Sequence, residues 1–450
     1  MTLQSFFYPN AVAVIGASRN PTKVGHVIFR NFFEGSFRGK AFPVNPNAEE
    51  IFGQKTYPSV LDIPGKIDLA IITIPAQSVP KALEECGKKK IRSVVIISAG
   101  FSEIGNYALD SKIKSIAKKH SIRLLGPNCL GVFTPSSGVD TLFLPRFKLT
   151  RPSPGNIAYI SQSGATLSVV LDIMGMKGYK VSKAISYGNA SDIDEADLIS
   201  YLSSDPDTRV ICCYFEGVRS GRKFFEAAKK CKKPIIALKG GQTPAGSNAA
   251  LSHTGSLAGE SRVYSAAFKQ SGVVEVSDLE QIFDFARVLS TQPLPKGPNV
   301  QIITDGGGFG VLTADVVHQS GLSLSPLNPR TVQSFQKSMP SYVVLKNPLD
   351  LTGDADSNRY KLALEASIQD PNVHMIALVV LFQVPTLTPD VVEIISELKG
   401  KKPMVVISGG GKYTETLKKS LEDQGIPCFS YPDRAVSALR ALYDHSITKK

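Results

Sequence analysis

The feature that most constrains this chain is a recurring pattern of short apolar, β-branched runs separated by helix-length amphipathic segments. The runs extend from AVAVIG at 11–16 to PMVVIS at 403–408. Continuous apolar strands that alternate with helices are typical of parallel sheets covered by helices on both faces. The pattern therefore predicts an α/β fold with doubly wound, mostly parallel sheets throughout.

The length and two proline-rich passages predict three consecutive domains. A chain of 450 residues corresponds to about three domains of ~150 residues. The passages at 144–156 and 290–299 are rich in proline, which removes backbone donors and is typical of linkers. We therefore expect domains at 1–145, 150–290 and 297–450.

Composition excludes several classes of protein. The chain is 42% hydrophobic and 20% charged, it has no apolar run long enough to cross a bilayer, and its start reads directly into a strand, so we expect no membrane span and no signal peptide. The net charge of +12 comes from scattered lysines without a nucleic-acid-binding motif, so no nucleic acid is expected. The six cysteines show no metal-ligand spacing, which favours a reduced, cytoplasmic protein and no bound metal.

Each predicted domain begins with a strand that runs into a glycine turn and a helix. The three turns read IGASRNPTKVG, ISQSGATLS and ITDGGGFGV. In such folds ligands bind at the carboxyl ends of strands, where free backbone N–H groups at helix N-termini attract anions. The turns predict at least two sites for phosphate-bearing ligands, although glycine at such turns can also serve packing alone.

The first turn departs from the nicotinamide-binding fingerprint. Ser18 occupies the position of the second glycine of GxGxxG, and Asn45 and Asn47 follow the second strand where a ribose-binding acid is expected. Ser18, Arg19 and Lys23 instead offer hydroxyl and cationic contacts to a phosphate-rich ligand, or form a solvated loop with a helix cap. The absence of GxxxxGK[ST] argues against a Walker-type ATP site in this sequence.

His253 differs from the other five histidines. It lies in the segment 240–259, which consists almost entirely of small residues. Such a loop can pass close to another surface, and imidazole is a covalent nucleophile that titrates near neutrality. His253 is therefore the candidate carrier of a phosphoryl group; the alternative is a loop histidine held by its Ser and Thr neighbours.

Motifs spread in order over essentially the whole sequence resemble one enzyme family. The chain is similar to the α subunits of ADP-forming acetyl-CoA synthetases, in the superfamily that includes succinyl-CoA synthetase. The motifs that carry this resemblance are VAVIGAS, PVNP, LLGPNCLGV (124–132), SQSGA (161–165), SYGN (186–189), LSHTGSLAG (251–259) and NPLDLTGDA (347–355).

The resemblance implies a role for each predicted domain. Residues 1–145 would be a Rossmann-like CoA-binding domain, 150–290 a ligase domain carrying the phosphohistidine loop, and 297–450 a second flavodoxin-like ligase domain. The CoA contacts that it implies are Gly16, Ser18, Arg19, Lys23, Asn45 and Pro46.

The resemblance also implies a phosphoryl-transfer site. In that site His253 accepts the phosphoryl group, and Glu216 hydrogen bonds the other imidazole nitrogen and fixes its tautomer. Two helix N-termini of the same chain would flank the phosphohistidine and present backbone donors to it. These helix N-termini are Ser163-Gly164-Ala165 and Gly306-Gly307-Gly308.

The implied reaction converts acyl-CoA, phosphate and ADP reversibly into a carboxylic acid, CoA and ATP through an acyl phosphate and a phosphohistidine. We expect a separate ATP-grasp β subunit, in an α2β2 heterotetramer, to supply the ADP/ATP site and its Mg²⁺. Two alternatives remain at this point. One is a non-catalytic regulatory module that binds CoA, and the other is a nicotinamide-linked dehydrogenase that uses the Gly16 loop.

Overall fold

The computed structural model describes residues 3–246 and 260–448. The chain divides into two compact units, Met1–Leu279 and Glu280–Lys450. Both have α/β architecture with mostly parallel sheets, which confirms the predicted fold class. Among the described helices, none combines the length and apolar character needed to span a bilayer.

The first unit contains a five-stranded parallel sheet in the order β2-β1-β5-β6-β7. Every residue of β1 is buried, as expected for a strand covered on both faces. A two-stranded antiparallel hairpin, β3-β4, follows β2. The strands are β1 Ala11–Ile15, β2 Lys40–Val44, β3 Glu50–Ile51, β4 Gln54–Lys55, β5 Leu69–Ile72, β6 Ser93–Ile96 and β7 Arg123–Leu125.

A seven-stranded sheet completes the first unit, and its order is β14-β13-β12-β10-β11-β8-β9. Strands β8 and β9 precede the expected linker, yet they pair antiparallel at the β11 edge of this sheet. The strands are β8 Gly131–Thr134, β9 Val139–Asp140, β10 Pro154–Ser161, β11 Val181–Ser186, β12 Val210–Phe215, β13 Ile235–Lys239 and β14 Val273–Val276.

The helices of the first unit cover both sheets. They are α1 Gln4–Phe7, α2 Val24–Glu34, α3 Val79–Lys88, α4 Tyr107–His120, α5 Gly164–Met176, α6 Glu195–Ser204, α7 Gly221–Lys230 and α8 Ser261–Ser271, with short 3-10 helices at Val60–Asp62, Ala76–Ser78 and Ser102–Ile104. One apolar core joins the two sheets, because it includes Val14 from β1, Ile160 from β10 and Ile211 from β12. This shared core fixes the carboxyl ends of both sheets relative to each other.

The second unit is built on a parallel sheet in the order β16-β15-β18-β19-β20, with β17 paired to the end of β15. The strands are β15 Asn299–Thr304, β16 Ser323–Leu324, β17 Leu349–Asp350, β18 Met375–Val379, β19 Met404–Ile407 and β20 Cys428–Phe429. The helices are α9 Leu279–Thr291, α10 Gly307–Gln319, α11 Pro329–Ser338, α12 Ser357–Gln369, α13 Val391–Glu397, α14 Lys412–Asp423 and α15 Pro432–Thr448.

Candidate functional site

A cleft of about 970 Å³ opens in the first unit, where strands of both sheets end. The loops after β1, β2, β5 and β6 form one wall, and those after β10, β11 and β12 form the other. Such positions at the carboxyl ends of parallel strands are where ligands bind in α/β folds. The cleft brings together eight residues singled out from the sequence, namely Gly16, Ser18, Lys23, Asn45, Ser163, Gly164, Ala165 and Glu216.

The first wall of the cleft is the turn between β1 and α2. Gly16 has a φ of +95°, and a Cβ there would lie 2.7 Å from Thr73 Oγ1, so the turn requires glycine. Ser18 receives the backbone N–H of Asn20 at 3.1 Å, and its carbonyl oxygen lies 2.9 Å from His26 Nδ1. The turn is thus tightly braced, and its backbone faces the cleft.

Asn45 braces this turn from the neighbouring strand. Its Nδ2 donates to the Ala17 carbonyl oxygen at 2.7 Å, and its Oδ1 accepts the Asn47 backbone N–H at 2.8 Å. Both functional groups of the amide are therefore engaged within the protein. Asn45 lines the cleft, but its hydrogen bonds shape the loop.

The second wall contains the N-terminus of α5. Ser163 is the N-cap residue, and its side chain accepts the Thr166 backbone N–H at 3.2 Å. The first N–H groups of a helix have no intrahelical acceptor, and the helix dipole adds positive potential there. Gly164 and Ala165 therefore present an anion-binding surface to the cleft.

Glu216 follows β12 and lines the cleft in the same wall as this helix N-terminus. Its side chain is buried, with 6% of the residue exposed. Its backbone N–H and that of Gly217 both donate to Gln162 Oε1, at 2.7 and 3.0 Å. Tyr214 hydrogen bonds the Glu216 carboxyl, and burial together with this carboxylate raises the pKa of Tyr214.

One buried cation lies close to Glu216. Lys239, at the end of β13, is 2% exposed, and its ammonium donates to the Gly240 carbonyl oxygen. It also lies 4.9 Å from the ring centre of Tyr264. Burial lowers the pKa of Lys239, and the nearby Glu216 carboxylate opposes that change.

Not every residue singled out from the sequence lines this cleft. Arg19 and Pro46 are exposed on its rim loops and are not among the lining residues. His253 lies outside the described residues. Gly306, Gly307 and Gly308 belong to the second unit.

In the second unit the glycine turn caps and begins α10. Gly306 is the N-cap residue; its N–H donates to Thr304 Oγ1 at 3.0 Å, and that hydroxyl donates to the Gly306 carbonyl oxygen at 2.9 Å. A Cβ on Gly307 would lie 2.9 Å from Asp350 Oδ2, whereas one on Gly308 would meet no atom within 4 Å. Burial raises the pKa of the adjacent Asp305 to about 6.

Sequence reasoning missed part of the lining. Asn128 and Asn189 face the cleft from LLGPNCLGV and SYGN, and Asn128 Nδ2 donates to Asn189 Oδ1 at 3.3 Å. Because both asparagines lie in motifs that support the family resemblance, the sequence could have identified them as candidate site residues. Phe143 and Leu144 add apolar surface to the cleft; Leu144 begins the segment taken for a linker, Phe143 directly precedes it, and no motif distinguishes either residue.

Within residues 3–246 and 260–448, no cluster of three or more His, Cys, Asp or Glu side chains is arranged to hold a metal ion. The six cysteines are all buried and none forms a disulfide. The polar lining of the cleft thus consists of backbone donors, hydroxyls, amides, one lysine, one arginine and one buried carboxylate. Such a set suits a phosphorylated organic ligand and the transfer of an anionic group.

Family models match three successive segments of the chain. A CoA binding domain matches residues 10–135, a succinyl-CoA ligase like flavodoxin domain matches 154–289, and a Ligase-CoA domain matches 300–449. The first two segments supply the two walls of the cleft.

Characterised relatives are similar over nearly the whole chain. The α subunit of acetate–CoA ligase [ADP-forming] I from Pyrococcus furiosus is 43% identical, with 99% of this chain and 98% of that protein covered. Acetate–CoA ligase [ADP-forming] from Methanocaldococcus jannaschii is 42% identical over 99% of this chain, which spans 64% of that longer protein.

Among solved structures, acetyl-coenzyme A synthetase 1 of Ca. Korarchaeum cryptofilum in complex with phosphate and ADP is 36% identical. It superimposes with a TM-score of 0.93, and the match covers 99% of this chain and 97% of that chain. Sequence, domain order and fold agree, and the chain belongs to the ADP-forming acetate–CoA ligase family.

Proposed function

We propose that this chain is the catalytic α subunit of an ADP-forming acyl-CoA synthetase, and that His253 carries the phosphoryl group. The observation that supports this most directly is that the Gly16 turn, the N-terminus of α5 and Glu216 line one cleft. A CoA thioester held by the first wall would have its reacting carbonyl beside an anion-binding helix end. We assign CoA binding to residues 1–145, the histidine loop to 150–290 and the second ligase domain to 297–450.

The reaction has three steps. Phosphate attacks the thioester carbonyl, the C–S bond breaks, and CoA leaves as the thiol while an acyl phosphate forms. The His253 imidazole then attacks phosphorus, and the carboxylic acid leaves as its carboxylate. ADP finally takes the phosphoryl group from the histidine to give ATP. Because the thioester energy passes through two covalent intermediates, none of it is lost to hydrolysis.

The N-terminus of α5 supports the first two steps. The attacking phosphate is an anion in the first step, and the transferred phosphoryl group is anionic in the second. The N–H groups of Gly164 and Ala165 stabilise these oxygens without any rearrangement. Ser163 keeps its hydroxyl on the Thr166 N–H, so it fixes the helix end. Lys23, exposed at the start of α2, supplies a cation for the CoA phosphates.

Chain connectivity supports the delivery of His253 to this cleft. Before the histidine segment, β13 ends at Lys239, close to Glu216. After it, Tyr264 of α8 accepts the Val218 N–H at 3.0 Å. His253 precedes Glu260, the first described residue after the gap, by seven positions, and an extended chain of that length spans at most roughly 24 Å. This connectivity is consistent with the proposal that the imidazole meets Glu216 during the reaction.

Glu216 would orient the imidazole by accepting the N–H opposite the phosphorylated nitrogen. A carboxylate in that position selects one tautomer and stabilises the cationic phosphohistidine. Gly306–Gly308 at the start of α10 would provide a second set of helix N–H groups for the same phosphoryl group.

Nucleotide binding is assigned to a partner. The relatives in P. furiosus are named as α subunits, which implies a partner subunit in those enzymes. For this chain we propose a separate ATP-grasp β subunit in an α2β2 assembly, which would bind ADP/ATP with Mg²⁺. The buried, unpaired cysteines are consistent with a reducing, cytoplasmic location.

A non-catalytic CoA-binding module is not favoured, because the full-length relatives are ligases. The test is to combine the chain with its β subunit and measure ATP formation from acetyl-CoA, ADP and phosphate. The wild-type complex is expected to form ATP, and His253→Ala is expected to form none while still binding CoA. ATP formation at the wild-type rate by His253→Ala would rule out the phosphohistidine route.

A further inference from the structure

The segment Glu216–Arg219, here called the Glu216 loop, is held by side chains from two other parts of the first unit. Gln162 Oε1 accepts the N–H groups of the first two residues, at 2.7 and 3.0 Å. Tyr264 Oη accepts the N–H of Val218 at 3.0 Å. Three successive N–H groups of this loop are therefore received by side chains.

Both acceptor side chains are themselves fixed in place. Gln162 lies between β10 and the N-cap of α5, and its backbone N–H donates to the Tyr214 carbonyl oxygen at 3.1 Å. Tyr264 packs its ring edge-on against Phe268 at 6.0 Å. The loop is consequently anchored by groups that have little freedom to move with it.

These hydrogen bonds orient the Glu216 carboxylate and contribute little to the stability of the sheet. Loop N–H groups at a protein surface are ordinarily satisfied by water or nearby backbone. Here β12 has already ended at Phe215, so the side-chain acceptors add nothing to the strand pairing. What they determine is the direction in which the chain leaves the strand, and with it the direction of the Glu216 side chain.

We propose that Gln162 and Tyr264 are positioning residues that aim Glu216 at the phosphoryl-accepting imidazole. The inference rests on the proposed function, since it assigns these two side chains a purpose only if Glu216 orients His253. Gln162 links the two parts of the site, because it immediately precedes Ser163 at the helix N-terminus and also holds the Glu216 backbone.

Tyr264→Phe is the most informative variant. It removes only the hydroxyl that receives the Val218 N–H, and it keeps the ring that packs on Phe268 and beneath Lys239. Tyr264 is not part of the cleft lining, so its loss does not directly alter substrate contacts. The matched control is Tyr201→Phe, which removes a hydroxyl that donates to Gln4 Oε1 elsewhere in the unit.

The experiment measures the rate of phosphoenzyme formation from acetyl-CoA and phosphate by rapid quench, with the β subunit present. Tyr264→Phe is expected to slow labelling about tenfold, the effect of one lost hydrogen bond that was needed for geometry. The CoA dissociation constant is expected to stay unchanged, and Tyr201→Phe is expected to label at the wild-type rate.

A double-mutant cycle separates positioning from a general structural role. If Tyr264 acts through Glu216, Tyr264→Phe is expected to cause no further slowing in a Glu216→Gln background. Labelling of Tyr264→Phe at the wild-type rate, or equal slowing in both backgrounds, would overturn the proposal. Failure of the wild-type complex to form any phosphoenzyme would instead contradict the proposed function, so the two outcomes are distinct.

Discussion

A Cβ atom on Gly25 would lie 2.0 Å from the carbonyl oxygen of Gly16. The first residues of α2 therefore pack directly on the turn that follows β1, and only a hydrogen fits between them. Because the obstructing atom belongs to the backbone, the clash could be relieved only by moving the helix or the turn. The shape of the proposed CoA site thus depends on a glycine nine positions beyond the one that opens the turn.

Gly25→Ala is expected to weaken CoA binding by at least about tenfold, since the displaced turn would lose its contacts to the ligand. Isothermal titration of the purified chain with CoA measures this effect. Gly221→Ala is the control, because a Cβ on that glycine would meet no atom within 4 Å. Equal CoA affinities for the two variants would show that the Gly16 turn does not form the site.

Asn45→Ala is expected to raise the KM for acyl-CoA several-fold and to leave kcat nearly unchanged. The variant loses the amide that donates to Ala17 and accepts from Asn47, but it removes no group from the phosphoryl-transfer steps. Steady-state kinetics of the complex provide the measurement. Asn47→Ala keeps its backbone N–H and should behave as wild type; a fall in kcat alone for Asn45→Ala would refute the assigned role.

Glu195 is expected to make the stability of the first unit depend on pH. Burial raises the pKa of this carboxyl from 4.5 to about 7, with Asp194 adding to the rise and Lys223 and the Arg219 N–H opposing it. The folded state thus retains a proton that the unfolded state releases near pH 4.5. The free energy of unfolding should therefore fall as the pH rises from 4.5 to about 7, and it should remain level at higher pH.

Chemical denaturation of the wild type and of Glu195→Gln at pH 5 and pH 8 tests this sign. At about 1.4 kcal/mol per pKa unit, the shift to about 7 corresponds to a loss of about 3 kcal/mol in the wild type between the two conditions, which Glu195→Gln should not show. A wild-type protein that becomes more stable relative to Glu195→Gln at pH 8 would contradict the burial of a neutral carboxyl.

Lys183→Met is expected to destabilise the first unit by about 3–5 kcal/mol, because it leaves a buried carboxylate without its cation. The Lys183 ammonium is fully buried and lies 2.7 Å from Asp205 Oδ2 and 2.9 Å from the Tyr8 hydroxyl. Urea denaturation compares it with Lys119→Met, which removes an exposed partner of Glu84 and should cost less than about 1 kcal/mol. Similar decreases in the free energy of unfolding for the two variants would contradict the claim that the buried Lys183 pair contributes more than the exposed Lys119 pair.

The apolar runs were sufficient to predict the parallel α/β architecture, because strands buried on both faces leave a continuous signal. The turn at Gly16 was predictable for the same local reason, since it directly follows such a strand. The role of Asn45 was harder to infer. Its position marks the end of β2, but only the fold places its amide against the Ala17 carbonyl oxygen.

The contacts of the Glu216 loop could not be predicted from local sequence patterns. Glu216 could be singled out only through family resemblance, and no local pattern indicates that Gln162 and Tyr264 hold the same four-residue segment. These residues are 54 and 46 positions from their partners Glu216 and Val218. Their contact follows from the pairing of β10 with β12 and from the placement of α8, which are tertiary relationships.

Phosphorylation of His253 is the step on which the proposed reaction depends, and peptide mapping of the phosphoenzyme tests it. The complex is incubated with acetyl-CoA and radiolabelled phosphate in the absence of ADP, and the labelled peptide is mapped by mass spectrometry. We expect a label on His253 that is stable in base, labile in acid and discharged by ADP. A label that maps to another residue, or that persists in His253→Ala, would contradict it.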